Sequence, residues 1–194
     1  MATGLASLDP NTVLQESGAW LEGDFLLASG SRSTFYFDSK PFTLDPKYAE
    51  FVGRYFFDKL KDSGAVAVGG MALGGIPLVS HIVPVSQREG HPLPGFYVRP
   101  EPKTRGTLKL IEGNLPEDPT QPVAIIDDIV TRGGSILKAI TAVEEAGNPI
   151  VRVMCILDRN EGGREALRER GFELEAMYTV ETDKNGVKEP VFHP

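Results

Sequence analysis

Residues 123–135 read Val-Ala-Ile-Ile-Asp-Asp-Ile-Val-Thr-Arg-Gly-Gly-Ser, and the change of character along this stretch decides the fold. The apolar, β-branched run at its start predicts a buried strand. Asp127 and Asp128 leave the end of that strand, residues 131–135 form a loop, and the pattern over 135–146 predicts a helix ended by Gly147. A strand, a Gly-bearing loop and a helix in that order suit a sugar phosphate. The first N–H groups of the helix lack intrahelical partners, and the helix dipole favours an anion there. Gly133 and Gly134 permit close backbone approach and positive φ. The paired carboxylates are acceptors for two vicinal hydroxyls. Two Asp after a strand are also ordinary capping or turn residues, and Gly-Gly-Ser is also an ordinary loop.

Outward from this stretch the pattern alternates. A short helix is expected over 11–19, capped by Asn11, and short strands over 25–27 and 35–37 around a Ser/Gly turn. Asp45 and Pro46 open a helix with an apolar stripe of Tyr48, Phe51, Val52, Tyr55, Phe56 and Leu60, which Gly64 ends. A strand over 65–68 leads into a Gly-rich loop, 69–75, and a helix to about Val83. Residues 84–94 read as a connection, 95–98 as a strand, 99–113 as aperiodic and 115–122 as a Pro-bearing link. Beyond the central helix come a strand over 150–157, a polar helix over 163–170 and a last strand over 172–180. Strand–helix alternation implies an α/β fold, a mostly parallel sheet flanked by helices, with ligands at the carboxyl ends of its strands.

Composition narrows the function. The 194 residues fit a single domain, 1–194, and carry a net charge of −7, which argues against a nucleic-acid partner. No apolar run reaches membrane-span length, and residues 1–20 contain Asp9 and Glu16 but no basic residue, unlike a signal peptide. One cysteine, Cys155, excludes an intrachain disulfide and suits a reducing cytoplasm. The three histidines show no metal-ligand spacing. Within this acidic chain, 99–109 concentrates Arg99, Lys103, Arg105 and Lys109 among Pro100, Pro102 and Gly106. That composition predicts a mobile flap whose cations serve a leaving anion, or a solvated surface loop. Residues 69–75 with four glycines suggest a backbone nest for a second anion, or a tight strand–helix turn.

The stretch 123–135 resembles the phosphoribosyl-pyrophosphate (PRPP) signature of the type I phosphoribosyltransferases. Three further blocks, 16–38, 98–113 and 157–163, are similar to those of the orotate phosphoribosyltransferase family. The resemblance implies a type I phosphoribosyltransferase-like fold with an N-terminal hood, 1–40, a core, 41–194, and a flexible catalytic loop. It implies transfer of ribose 5-phosphate from PRPP to orotate, with Mg²⁺ held mainly through substrate oxygens and no protein metal site. It also implies a cytoplasmic homodimer that shares the loop across subunits. Carried over residue by residue, it assigns catalysis to Lys103, Arg105 and Asp128. It assigns PRPP to Arg99, Lys103, Asp127, Asp128, Thr131, Arg132, Gly133, Gly134, Ser135 and Gly74, and orotate to Tyr36, Phe37, Thr131 and Arg159.

The match departs from the family pattern in places. Pro100 stands where the family loop commonly has a second cation, Arg105 where it has a histidine, and Gly74 and Ala28 where many members have lysines. Arg105 keeps a charge and donors but cannot act as an acid–base group at neutral pH. Two alternatives remain at this level: a purine phosphoribosyltransferase, and a non-catalytic regulator that binds PRPP.

Overall fold

The computed structural model describes residues 8–26, 30, 32–101 and 110–194. Its centre is a seven-stranded sheet in the order β5-β4-β3-β6-β7-β8-β9. The strands are β3 (Ala67–Met71), β4 (Gly95–Val98), β5 (Ile111–Gly113), β6 (Val123–Val130), β7 (Ile150–Asp158), β8 (Leu174–Thr182) and β9 (Lys188–Phe192). The five inner strands are parallel, and β5 and β9 close the two edges antiparallel. Renumbered in chain order, the parallel strands run 2-1-3-4-5, so the winding reverses between β3 and β6. In open α/β sheets the ligand crevice opens at this reversal, outside the carboxyl ends of the strands.

The expected α/β architecture is present, and local chemistry explains its elements. Val123, Ala124, Ile125 and Ile126 are fully buried, as an inner strand covered on both faces requires. Helix α3 (Pro46–Leu60) starts where Asp45 accepts the Lys47 N–H at 2.7 Å, with Pro46 in the first turn. Its stripe of Tyr48, Val52, Phe56, Phe57 and Leu60 is buried. Together with α4 (Gly75–Arg88), it shares one hydrophobic cluster with Ile126, Met154 and Tyr178. The other cluster packs α5 (Gly134–Ala146) and Leu167 of α6 (Gly163–Glu169) against Ile125, Val153 and Cys155. A separate hairpin of β1 (Trp20–Leu26) and β2 (Arg32–Phe37) joins the first cluster through Trp20, Phe35 and Phe37.

Several expectations are corrected. The first helix is only α1 (Val13–Glu16), preceded by Thr12 rather than Asn11, and a short α2 (Ser39–Thr43) is capped by Asp38, which accepts the Lys40 N–H. Helix α4 runs through Pro84 to Arg88 because Val85 keeps its apolar face buried and Ser86 Oγ donates to Val83 O at 2.7 Å. Strand β6 continues to Val130, so the Asp pair lies inside it. Gly69 and Gly70 belong to β3, not to a loop. A Cβ on Gly69 would meet the Phe96 ring at 2.1 Å. On Gly70 it would meet Ile126 O at 2.2 Å and Gly75 Cα at 3.0 Å. Glycine here lets β3, β6 and the start of α4 meet backbone to backbone. Gly70→Ala is expected to cost stability at the upper end of about 1–3 kcal/mol, because a rigid backbone faces the new methyl. Urea denaturation reads this as a lower midpoint at unchanged slope.

Candidate functional site

The pairing of β6 with β3 ends at Ile126, opposite Gly70, while its pairing with β7 continues to Val130. Asp127 and Asp128 therefore stand where β3 peels away, at the winding reversal. Asp127 is 4% exposed, and its Oδ1 accepts the Asp128 N–H at 3.0 Å. Asp128 is half-buried. Its Oδ1 accepts the Ile129 N–H at 2.9 Å, and its Oδ2 accepts the Ser39 hydroxyl at 2.5 Å. Gly74 borders the same carboxylate: a Cβ there would lie 2.2 Å from Asp128 Oδ1. A lysine at 74 would collide with Asp128 as it is placed here, so the glycine and the Ser39–Asp128 contact form one arrangement.

Burial, reinforced by the neighbouring Asp128 charge, pushes the Asp127 carboxyl well above its ordinary value of 3.8. Because the folded-state pKa is raised, the stability Asp127 contributes is full below about pH 3.8 and is lost as pH rises through the higher folded value. Asp127→Asn keeps an acceptor for the Asp128 N–H and removes the buried charge. The unliganded variant is expected to be more stable than the parent by about 1–3 kcal/mol at pH 8. That advantage should shrink toward pH 4. Paired thermal denaturation curves across this range check it.

Beyond Val130 the loop of Thr131, Arg132 and Gly133 leads into α5. Gly133 has φ +79°, and α5 has neither a side-chain cap nor an acid in its first turn. The N–H groups over Gly134 and Ser135 are thus open to an anion without competition from a first-turn carboxylate. The loop is strapped to the one after β7: Arg159 N donates to Val130 O at 2.9 Å, and Gly163 N to Thr131 O at 3.0 Å. A Cβ on Gly163 would lie 2.8 Å from Thr131 O and 3.0 Å from Gly133 N. This contact sets Arg159 beside the loop that opens α5.

Arg159 is 8% exposed. Its Nε donates to Glu161 at 3.0 Å, and its guanidinium lies 4.6 Å from the centroid of the Phe35 ring. Trp20 stacks on the same ring at 4.4 Å, 11° from parallel. Asp158, fully buried, accepts the Asn160 N–H at 2.9 Å and pairs with Arg164 at 2.9 Å. The turn that carries Arg159 is therefore fixed from both sides.

Not every sequence-assigned residue joins this cluster in the same way. Tyr36 is 40% exposed, 5.6 Å from the Phe25 ring, whereas Phe37 is buried in the core. Strand alternation sends the two to opposite faces, and Phe35 meets Arg159. Arg99 directly follows β4, and its N–H donates to Leu110 O at 2.9 Å, joining the two ends of the cationic segment. Arg99, Pro100, Gly134 and Lys138 line one cavity of about 310 Å³ that links this stem to the start of α5. Arg132 is exposed. Lys103 and Arg105 lie outside the described residues, as do Ala28 and residues 102–109 of the expected flap. Ser39, Phe35 and Glu161 are contributors that the sequence did not single out. The Asp-Ser step after β2, a common helix-capping pattern, is the one local signal that points to any of them.

No family model matches the chain. The orotate phosphoribosyltransferase of Rhodopirellula baltica is 41% identical over 179 residues, spanning 89% of this chain and 92% of that protein. Among solved structures, orotate phosphoribosyltransferase from Aeropyrum pernix matches with a TM-score of 0.74 at 32% identity, over 88% of this chain and 93% of that one. The Mycobacterium tuberculosis H37Rv orotate phosphoribosyltransferase in complex with PRPP matches with a TM-score of 0.70 at 28% identity, over 87% and 94%. With the paired carboxylates, the loop into α5 and Arg159 gathered at the carboxyl ends of β6 and β7 and relatives of this identity over most of its length, the chain belongs to the orotate phosphoribosyltransferase family.

Proposed function

We propose that the protein transfers the ribose 5-phosphate group of PRPP to N1 of orotate, forming orotidine 5′-monophosphate and pyrophosphate in pyrimidine biosynthesis. The observation that carries this reading is Arg159, a buried guanidinium fork on a turn whose backbone is hydrogen-bonded to the loop that would hold the 5′-phosphate. An acidic pyrimidine needs such a partner and a purine does not. Asp127 and Asp128 accept the ribose hydroxyls, and Thr131 through Ser135 the 5′-phosphate. Arg99, Lys103 and Arg105 serve the pyrophosphate. Catalysis is positioning plus stabilisation of the departing charge.

Mg²⁺ fits this donor set as a partner of the substrate. Asp127 and Asp128 bring adjacent carboxyl oxygens to the end of β6, and among the described residues no group of three or more metal-ligating side chains stands together. Magnesium keeps several non-protein oxygens, so PRPP and water would complete its shell, and when bound it would neutralise charge on the pyrophosphate. Two further features belong to the same reading. The chain works as a homodimer whose cationic loops serve both sites, and the buried free thiol of Cys155 suits a reducing cytoplasm. Among the described residues no helix is long and apolar enough to cross a membrane.

The test mixes the protein with orotate, PRPP and Mg²⁺ and follows orotate absorbance. Steady loss with orotate, and no consumption of uracil, adenine or hypoxanthine, is the expected result. Consumption of a purine instead would assign another base, and tight PRPP binding without turnover of any base would indicate a regulator.

A further inference from the structure

The edge of the sheet that carries Arg159 holds a second cation. Lys188 opens β9 opposite Thr182, at the carboxyl end of β8, and Arg159 directly follows the carboxyl end of the adjacent β7. Both converge on Phe35: Arg159 Cζ lies 4.6 Å and Lys188 Nζ 5.8 Å from its ring centroid. Trp20, stacked at 4.4 Å, covers one face of that ring, so the cations approach from the other. Two like charges over one ring repel, and the ring quadrupole offsets only part of that cost. Glu161 engages Arg159 at Nε, and among the described residues the Nη fork makes no hydrogen bond. An anion between the fork and the ammonium would relieve that repulsion.

We propose that Lys188 is a base-binding residue that receives, together with Arg159, the carboxylate of orotate, and so contributes to selection of an acidic base. This rests on the assignment of Arg159 to orotate. Lys188 is exposed, so its contribution is screened and smaller than that of the buried arginine.

Steady-state kinetics of Lys188→Ala, Lys188→Arg and Arg159→Ala provide the test. Lys188→Ala is expected to raise KM for orotate by about three- to tenfold, with kcat and KM for PRPP moving less than about twofold. Lys188→Arg should restore most of the loss, and the salt dependence of orotate KM should flatten in Lys188→Ala. A fault of folding would instead move both substrates and the melting temperature together. An unchanged orotate KM in Lys188→Ala, beside a raised one in Arg159→Ala, would remove Lys188 and leave the arginine assignment standing. No change in either variant would overturn both. A selective rise in KM for PRPP would assign Lys188 to the other substrate and also overturn the proposal.

Discussion

Replacing Arg159 by alanine is expected to lower kcat/KM for orotate by about 10²–10³-fold, while PRPP affinity stays within about threefold of the parent value. The size follows from burial. At 8% exposure the guanidinium is largely withdrawn from water, and a charge pair in such a setting is worth much more than one on the surface. Its framework is specific: Glu161 at Nε, the flat face of Phe35 beneath it, and Asp158 with Arg164 fixing the turn from which it projects. PRPP is spared because the links between the two loops, Arg159 N to Val130 O and Gly163 N to Thr131 O, are made by backbone atoms and survive the substitution. Arg159→Lys should recover little, since a lysine ammonium offers no planar fork and no flat surface for Phe35. Isothermal titration with PRPP, alongside orotate kinetics, separates the two affinities. An equal loss of both would mean that Arg159 supports the crevice as a whole rather than the base.

The same framework shows which features sequence reading can reach. The elements from β6 to α5 were legible because a β-branched run changes within a few residues to a helical period, and Gly133 marks the boundary between them with its positive φ. Gly69 and Gly70 were misplaced because glycine by composition signals a loop. Their actual cause is tertiary: the Phe96 ring and the Ile126 carbonyl occupy the space a side chain would need. Strand β9 is not legible because Lys-Glu-Pro-Val-Phe has a weak alternation interrupted by Pro190. An edge strand tolerates that proline. Asp183 shapes the preceding turn by accepting the Val187 N–H at 2.7 Å on its side chain. The site divided in the same way. Asp127, Asp128 and the loop over 131–135 are contiguous, so their spacing carries the signal. Phe35 and Ser39 act through contacts with Arg159 and Asp128, more than eighty residues away in the chain. The Trp20–Phe37 register that orients β2 is set by pairing with β1 rather than by local sequence.

Lys103→Ala is expected to lower kcat by about 10²–10³-fold with a much smaller change in KM for PRPP, the pattern of a group that acts when charge separates. In a chain of net charge −7, four cations fall within 99–109. That segment leaves the sheet at Arg99 and returns at Leu110, its ends joined by a 2.9 Å hydrogen bond beside the cavity that reaches the start of α5. Transfer from PRPP releases pyrophosphate, whose negative charge grows as the glycosidic bond lengthens, so a cation placed over it is worth more in the transition state than in the bound substrate. Arg105 holds its proton throughout and can contribute charge but no proton transfer. Lys103 supplies a compact ammonium on a flexible stem, suited to following a departing group. Lys103→Arg should therefore retain part of the rate, and mixing Lys103→Ala with an Arg159→Ala subunit would report whether the loop serves its own site or its partner's. Recovery in the mixed dimer, up to about one quarter of parental activity under random pairing, is the outcome expected of a shared loop. Full retention of kcat in Lys103→Ala would transfer the stabilisation of pyrophosphate to Arg99 and Arg105, and activity in the mixture no higher than in the parent variants would confine each loop to its own subunit.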